Sequence, residues 1–210
     1  SDHIIEKVAE LDKVCEHVNL PFQAGDDEVL SRMRRGYTGD DYRRVVEKVR
    51  ARVPNVSMST DLITGFCGET ERQFERTLDM LRDIRFDKVH SAAYSTREGT
   101  IAARKHEDDV PPEEKRARLR AVDELQASIQ TEINGGLLAK TLEVLVEGTR
   151  RGRVQGRSRN DKLVYMERVR DRVGEMVNVA SRLEGVPAIY GCQIVVSQRT
   201  EELAKDEFLM

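Results

Sequence analysis

The apolar residues change their spacing at Asn134-Gly135-Gly136. Upstream, segments of helical period alternate with short strand-like runs. Downstream, only short runs remain, alternating or rich in β-branched residues. Such a change of period marks a domain boundary. The expected units are an α/β part over residues 1–138, an all-β part over 139–198 and a polar tail over 199–210.

In the first unit, Ile4, Ile5, Val8, Leu11 and Val14 recur at helical spacing, followed by the short apolar stretch HVNLPFQ (17–23). Helical text returns around Val29, Leu30 and Met33. It returns again through Tyr42, Val45, Val46 and Val49, stopping before Pro54. VSMSTDLITGF (56–66) reads as a strand, Phe74, Leu78 and Leu81 as a helix, and FDKVHSAAYS (86–95) as a strand. Alternation of this length predicts βαβ units and a parallel sheet. About three such units stand where a closed barrel needs roughly eight. The sheet is therefore either small and open or part of a larger barrel. Pro111-Pro112 opens a last helix with an apolar stripe through Leu119, Val122, Leu125, Ile129 and Ile133. Asn134-Gly135-Gly136 ends it.

Beyond Lys140, the runs TLEVLVEG, GRVQGRSR, KLVYM, GEMVNVASRL and AIYGCQIVV are separated by glycines and charges. Five short strands in this space predict a small antiparallel barrel of the oligonucleotide-binding kind. Charge supports the division. Residues 140–172 carry ten Lys or Arg against five Asp or Glu in a chain whose net charge is −3. A basic segment inside an acidic chain is a candidate anion-binding face.

Cys15, Cys67 and Cys192 are odd in number and widely spaced, which argues against a disulfide framework and fits a reducing, cytoplasmic setting. No apolar run approaches a membrane span, so no membrane partner is expected. The four histidines, His3, His17, His90 and His106, show no metal spacing; His17 and His90 read as polar groups flanking strands. The chain opens at Ser1 with an amphipathic helix and no initiator methionine, and a fragment is expected.

Ligands of parallel sheets gather at the carboxyl ends of strands. Polar residues there are Gln23, followed by Ala24-Gly25; Ser59, Thr60 and Asp61; and Tyr94 and Arg97. Arg32, Arg34 and Arg35 form either a solvated face or a carboxylate clamp. The turn from Gly65 to Thr70 opens a helix, with Glu69 and Thr70 suited to capping it. In the β unit, Arg150, Arg151, Arg153, Arg157, Arg159 and Lys162 make a basic surface suited to RNA backbone, and Tyr165 is placed to stack on a base.

These strings together resemble the MiaB/RimO-type methylthiotransferase family of radical-SAM enzymes. Residues 15–38 resemble its C-x-H-x-x-L-P-x-Q-S-G-S…V-L-x-x-M-x-R-x-Y-T stretch, 59–70 its S-T-D-x-I-x-G-F-P-G-E-T, and 94–103 its Y-S-x-R-x-G-T-x-A. TLEVLVEG followed by GRSRNDKLVYM resembles its C-terminal TRAM domain. The resemblance implies the C-terminal half of a partial TIM-like barrel followed by a small OB-like barrel. It implies S-adenosyl-L-methionine and two 4Fe-4S clusters in the full-length protein, with tRNA as partner. By motif position, Gln23, Arg35, Thr60, Asp61 and Tyr94 fall on the S-adenosylmethionine side, and Arg153, Arg157, Arg159 and Lys162 on RNA.

Three departures stand out. The C-x-x-x-C-x-x-C cluster motif and the further cysteine triad are absent, so no cluster and no catalysis are expected of this chain alone. Cys67 stands where the family has proline, and Ala24 and Asp26 where it has serines. The leading expectation is part of a tRNA methylthiotransferase acting on an adenosine derivative next to the anticodon. The alternatives are the branch that modifies a ribosomal-protein aspartate, a non-catalytic RNA-binding module, and an unrelated sugar- or phosphate-binding α/β domain. Self-association through an open barrel edge is a further expectation.

Overall fold

The structure is a computed structural model that describes residues 1–150, 152–166, 173–180 and 194–196. Arg151, Cys192 and the expected tail lie outside the described residues. The elements run α1 (Asp2–Glu10), β1 (His17–Asn19), α2 (Asp27–Arg32), α3 (Gly39–Arg52), β2 (Ser57–Thr64), α4 (Glu71–Ile84), β3 (Lys88–Ala93), α5 (Ile101–Lys105) and α6 (Pro112–Gly135). There follow β4 (Thr141–Arg150), β5 (Arg153–Ser158), β6 (Leu163–Met166), β7 (Met176–Ala180) and β8 (Ile194–Val196).

The first sheet is parallel, ordered β1-β2-β3. Its connections are the helices that the periodicity predicts. Two of them start at a capping box, Thr38 with Asp41 on α3 and Thr70 with Gln73 on α4, which satisfies end N–H groups reciprocally. Met58 and Leu62 of β2 pack with Phe22, Tyr42, Val46, Phe74, Leu81, Phe86 and Val122. The alternate residues of β2, Ser57, Ser59 and Asp61, take the opposite face, because side chains switch sides at every residue. Among the described residues the parallel sheet holds three strands, with one face packed on helices and the other lined with polar groups.

The stripe on α6 differs from the apolar reading. Lys115, Arg118, Val122, Gln126 and Ile129 are buried, while Leu119 and Leu125 are half-buried. The polar members have partners that explain the rotation: Gln126 Nε2 donates to the Phe86 carbonyl at 2.9 Å, and Arg118 reaches Glu69.

The second sheet is ordered β7-β4-β5-β6-β8. Its first three pairings are antiparallel, and β6–β8 is parallel. Val144, Val146, Val154, Val164, Met166 and Val179 form its core. Among the described residues this is an open five-stranded sheet. The closed barrel expected from the strand pattern is not among them, because β7 and β8 remain unpaired edges.

Candidate functional site

After β1 the chain runs on as Leu20-Pro21-Phe22 and rejoins β2 at a bridge between Gln23 and Leu62. The Gln23 N–H donates to the Asp61 carbonyl and its own carbonyl accepts from Ile63 N–H, each at 3.0 Å. Gln23 has φ +69 and is almost buried. Thr60, on the helix side of β2, is fully buried. Its hydroxyl donates to the Leu20 carbonyl at 2.8 Å and accepts from Phe22 N–H at 3.0 Å. Thr60 thus pins this segment to β2, and its hydrogen is committed within the protein.

Gly25 then lies so close to α4 that a Cβ there would meet the Arg76 carbonyl oxygen at 2.5 Å. Asp26 caps α2, accepting from Glu28 and Val29 N–H at 3.0 and 3.1 Å, and pairs with Arg76 at 2.5 Å. It does the capping work a serine would do, with a charge added.

At the end of β2, Gly65 and Gly68 both take φ +70. The Glu69 carboxylate accepts from Gly65 N–H at 2.6 Å and pairs with Arg118 at 2.9 Å, both side chains being almost wholly buried. Burial pushes the Glu69 carboxyl above the ordinary range, against the opposing pull of the Gly65 N–H and Arg118. Cys67 is buried in the turn, beside Tyr94. Tyr94 continues from β3, with its N–H on the Thr64 carbonyl at 2.8 Å. Its ring meets Phe66 edge-on at 4.9 Å between centroids and lies under the Lys115 ammonium at 5.3 Å. Burial first, and then Cys67, raise its phenol pKa.

Gln23 follows β1 and Tyr94 follows β3, at the carboxyl ends of the strands flanking β2, whereas Asp61 lies inside β2, three residues before its end at Thr64. Thr60 faces the helices, and Arg35 is exposed on the loop after α2.

A second constellation escaped the sequence reading. On the face of the sheet away from the helices, His17 Nδ1 lies 2.7 Å from Ser57 Oγ, and its Nε2 lies 3.2 Å from Ser59 Oγ. Ser59 Oγ donates to Asn19 Oδ1 at 2.8 Å, and Asn19 Nδ2 donates to Asp61 Oδ2 at 3.2 Å. The register pairs His17 with Ser57, Asn19 with Ser59 and Asp61 with the exposed His90. The signal was present as alternating polar residues, His17 and Asn19 in one strand and Ser57, Ser59 and Asp61 in the next.

The turn between β5 and β6 seats against the start of this sheet. Arg159 holds Glu16 through Nε and Nη2, both at 2.8 Å, and its Nη2 also meets the Val14 carbonyl. Lys162, nearly buried, pairs with Asp87 at 2.5 Å. Asn160 accepts from Ser57 Oγ at 2.8 Å and donates to the Asn55 carbonyl at 2.6 Å. Arg157 pairs with Asp161 at 2.7 Å and Glu147 at 3.2 Å. Of the four side chains that the sequence assigns to RNA, Arg159 and Lys162 thus face the parallel sheet. Arg153 and Arg157 stand with Tyr165 on the outer face of the second sheet.

A family model described as the radical SAM superfamily matches residues 1–81. A Herpetosiphon aurantiacus protein named tRNA-2-methylthio-N(6)-dimethylallyladenosine synthase is 48% identical over 182 residues, covering 85% of this chain and 42% of that protein. Proteins of the same name from Chloroflexus aurantiacus and Roseiflexus sp. are each 42% identical, over 90% and 98% of this chain. The chain belongs to the radical-SAM methylthiotransferases. It spans about two fifths of the length of the relatives it matches.

In this chain, the two described cysteines do not fit an iron–sulfur cluster. Cys15 precedes β1 and Cys67 follows β2, at opposite ends of the sheet. Among the described residues no group of three or more His, Cys, Asp or Glu is placed to hold a metal. No helix of the described residues is long and apolar enough to cross a membrane. On the face of the sheet away from the helices, the Asp61 carboxylate and the Asn19 amide offer a polar organic ligand an acceptor and a donor.

Proposed function

We propose that this chain is part of a tRNA methylthiotransferase that modifies an adenosine derivative next to the anticodon, working in the cytoplasm. The observation that carries the reading is similarity across most of the chain to proteins named for that reaction on tRNA. In the whole protein, S-adenosyl-L-methionine and two 4Fe-4S clusters supply the radical and the sulfur, and the chain's residues bind and orient. Gln23, Asp61, Tyr94 and Arg35 are read as cofactor-side residues. Thr60 is read as the pin that holds Gln23 in place.

The division into residues 1–138, 139–198 and a tail over 199–210 belongs to the same reading. The second unit is read as a TRAM-type barrel whose outer face, with Arg153, Arg157 and Tyr165, meets RNA. The edges β1 and β3 of the parallel sheet are read as sites of self-association when uncovered, which light scattering measures.

The test is an anaerobic assay of the complete gene product, with its clusters reconstituted, on two substrates side by side. Methylthio transfer to tRNA supports the reading. Transfer to a ribosomal-protein aspartate overturns it in favour of the sister branch. RNA binding with no transfer overturns it in favour of a non-catalytic module.

A further inference from the structure

The hydrogens on the face of the parallel sheet away from the helices can be counted one by one. Ser57 Oγ lies 2.8 Å from the Asn160 carbonyl, which only accepts, so the Ser57 hydrogen points there. Asn19 turns its amide nitrogen to Asp61, because a carboxylate accepts. Its Oδ1 then faces Ser59 and takes that hydroxyl's hydrogen. His17 sits between the two serines. Ser57 has only a lone pair left for it, so Nδ1 carries a hydrogen whether the ring is neutral or charged.

The contact at Nε2 is the variable one. In the neutral ring Nε2 is a lone pair and competes with Asn19 for the single Ser59 hydrogen. In the imidazolium, Nε2–H donates to Ser59, and the Ser59 hydrogen belongs wholly to Asn19.

We propose that His17 is a positioning residue that ties the seating of the 159–162 turn to the orientation of Asn19 and Asp61. The route runs from the Asn160 carbonyl through Ser57, His17, Ser59 and Asn19 to the Asp61 carboxylate. Its functional meaning rests on the reading of Asp61 as a cofactor-side residue.

The charges around the ring come from three elements. Asp161, 4.0 Å from Nε2, and Lys162 come from the β5–β6 turn. Asp87 and Lys88 come from the start of β3. Glu16, just before β1, is held by Arg159, and Lys162 is held by Asp87. Burial is the largest influence and pushes the His17 pKa down; Asp161 and Asp87 oppose it, and Lys162 and Lys88 add to it. The ring is therefore mainly neutral at pH 7, with Ser59 shared. Acidification charges it and tightens Asn19 onto Ser59. Unseating the turn rehydrates the ring and removes the Ser57 acceptor, so the two ends of the route change together.

Nuclear magnetic resonance of the 210-residue chain tests this directly. Imidazole nitrogen shifts report the tautomer, and the Asn19 side-chain amide protons report the far end. The expected result is a neutral ring protonated at Nδ1, with Asn19 signals titrating at the same midpoint as His17. Ser59→Ala should leave His17 titrating while Asn19 stops following it. The double variant Arg159→Ala, Lys162→Ala should move the His17 midpoint up toward the free value of about 6.5.

An Nε2-protonated neutral ring overturns the proposal, as does an Asn19 amide that is silent during the titration or that still follows His17 in Ser59→Ala. The tautomer and co-titration in the unsubstituted chain decide the matter if a variant fails to fold. Addition of S-adenosylmethionine separates the two claims. A shift of the Asn19 and Asp61 signals supports the cofactor-side reading. Silence there, with the co-titration intact, overturns that reading and leaves the route standing.

Discussion

Arg159 and Glu16 meet through two parallel hydrogen bonds of 2.8 Å, although 143 residues separate them in sequence. The pair fastens the second sheet to the start of the first. Fork-to-carboxylate geometry of this kind is the strong form of a salt bridge. It makes the β5–β6 turn a structural joint, and several consequences can be measured.

Glu16→Gln should destabilise the chain by about 1 kcal/mol near pH 7, since both side chains keep roughly 30% exposure and solvent screens the pair. The hydrogen bond from Arg159 holds the Glu16 pKa below its ordinary value of 4.5. A lowered carboxyl pKa stabilises the fold above the unfolded value, and that contribution fades as pH falls below about 4.5 through the folded pKa. Urea denaturation across pH 3–6 should therefore show a flatter acid limb in Glu16→Gln than in the parent; identical limbs would contradict the assignment.

Arg118→Met should cost about 3–5 kcal/mol, because it strands the Glu69 carboxylate in a buried site. Adding Glu69→Gln to Arg118→Met should restore a substantial part of the loss. Chemical denaturation of the two variants measures this, and a double variant no more stable than Arg118→Met would count against a paired burial.

Thr60→Val removes the hydroxyl that accepts from Phe22 N–H and donates to the Leu20 carbonyl. The expected loss is about 1–3 kcal/mol, because the buried Phe22 N–H is left without a partner, while the Leu20 carbonyl keeps the Tyr42 hydroxyl. Amide hydrogen exchange should quicken at Phe22 and Gln23 before it does in α4.

Gly25→Ala places a Cβ 2.5 Å from the Arg76 carbonyl oxygen and Thr77 Cα, both backbone, whereas Gly36→Ala meets nothing within 4 Å. Thermal melts should show a loss of about 1–3 kcal/mol in the first and little change in the second.

RNA binding should separate the two sets of arginines. Arg153→Ala and Arg157→Ala are expected to weaken binding and to reduce the slope of log K against log salt by about 0.9 for each lost phosphate contact. Arg159→Ala should lower stability with the slope unchanged. A reduced slope in Arg159→Ala would show that this side chain reaches RNA after all.

Much of this architecture was legible from residue spacing. The limits of α6 followed from Pro112 and Gly135, and the parallel sheet from the alternation of its neighbours. The strand expected over 17–23 ends at Asn19, because Pro21 has no N–H to give the ladder and Thr60 takes over the pinning. Five residues are too few to show a period, so α5 went unread. The polar stripe on α6 was hidden because a count of apolar residues passes over Arg118 and Gln126, whose burial depends on distant partners.

The candidate site was legible only in part. Gln23 and Tyr94 stand at strand ends because the alternation of strand and helix puts them there, whereas Asp61 lies inside β2. The His17 ladder needed the register of β1 on β2, which alternating polar residues do not specify. A basic run reads alike whether it faces RNA or a neighbouring carboxylate. The fold turns Arg159 and Lys162 to carboxylates beside the parallel sheet and places Arg153 and Arg157 on the outer face of the second, where Arg157 too has carboxylate partners in Asp161 and Glu147.

The central claim is that this chain belongs to an enzyme that methylthiolates tRNA. Its most direct test is mass spectrometry of tRNA nucleosides from cells in which the complete gene is deleted and then restored. The account predicts that the 2-methylthio form of the adenosine beside the anticodon disappears on deletion and returns with the gene. An unchanged level of that nucleoside in the deletion strain, with no other gene supplying it, would contradict the account.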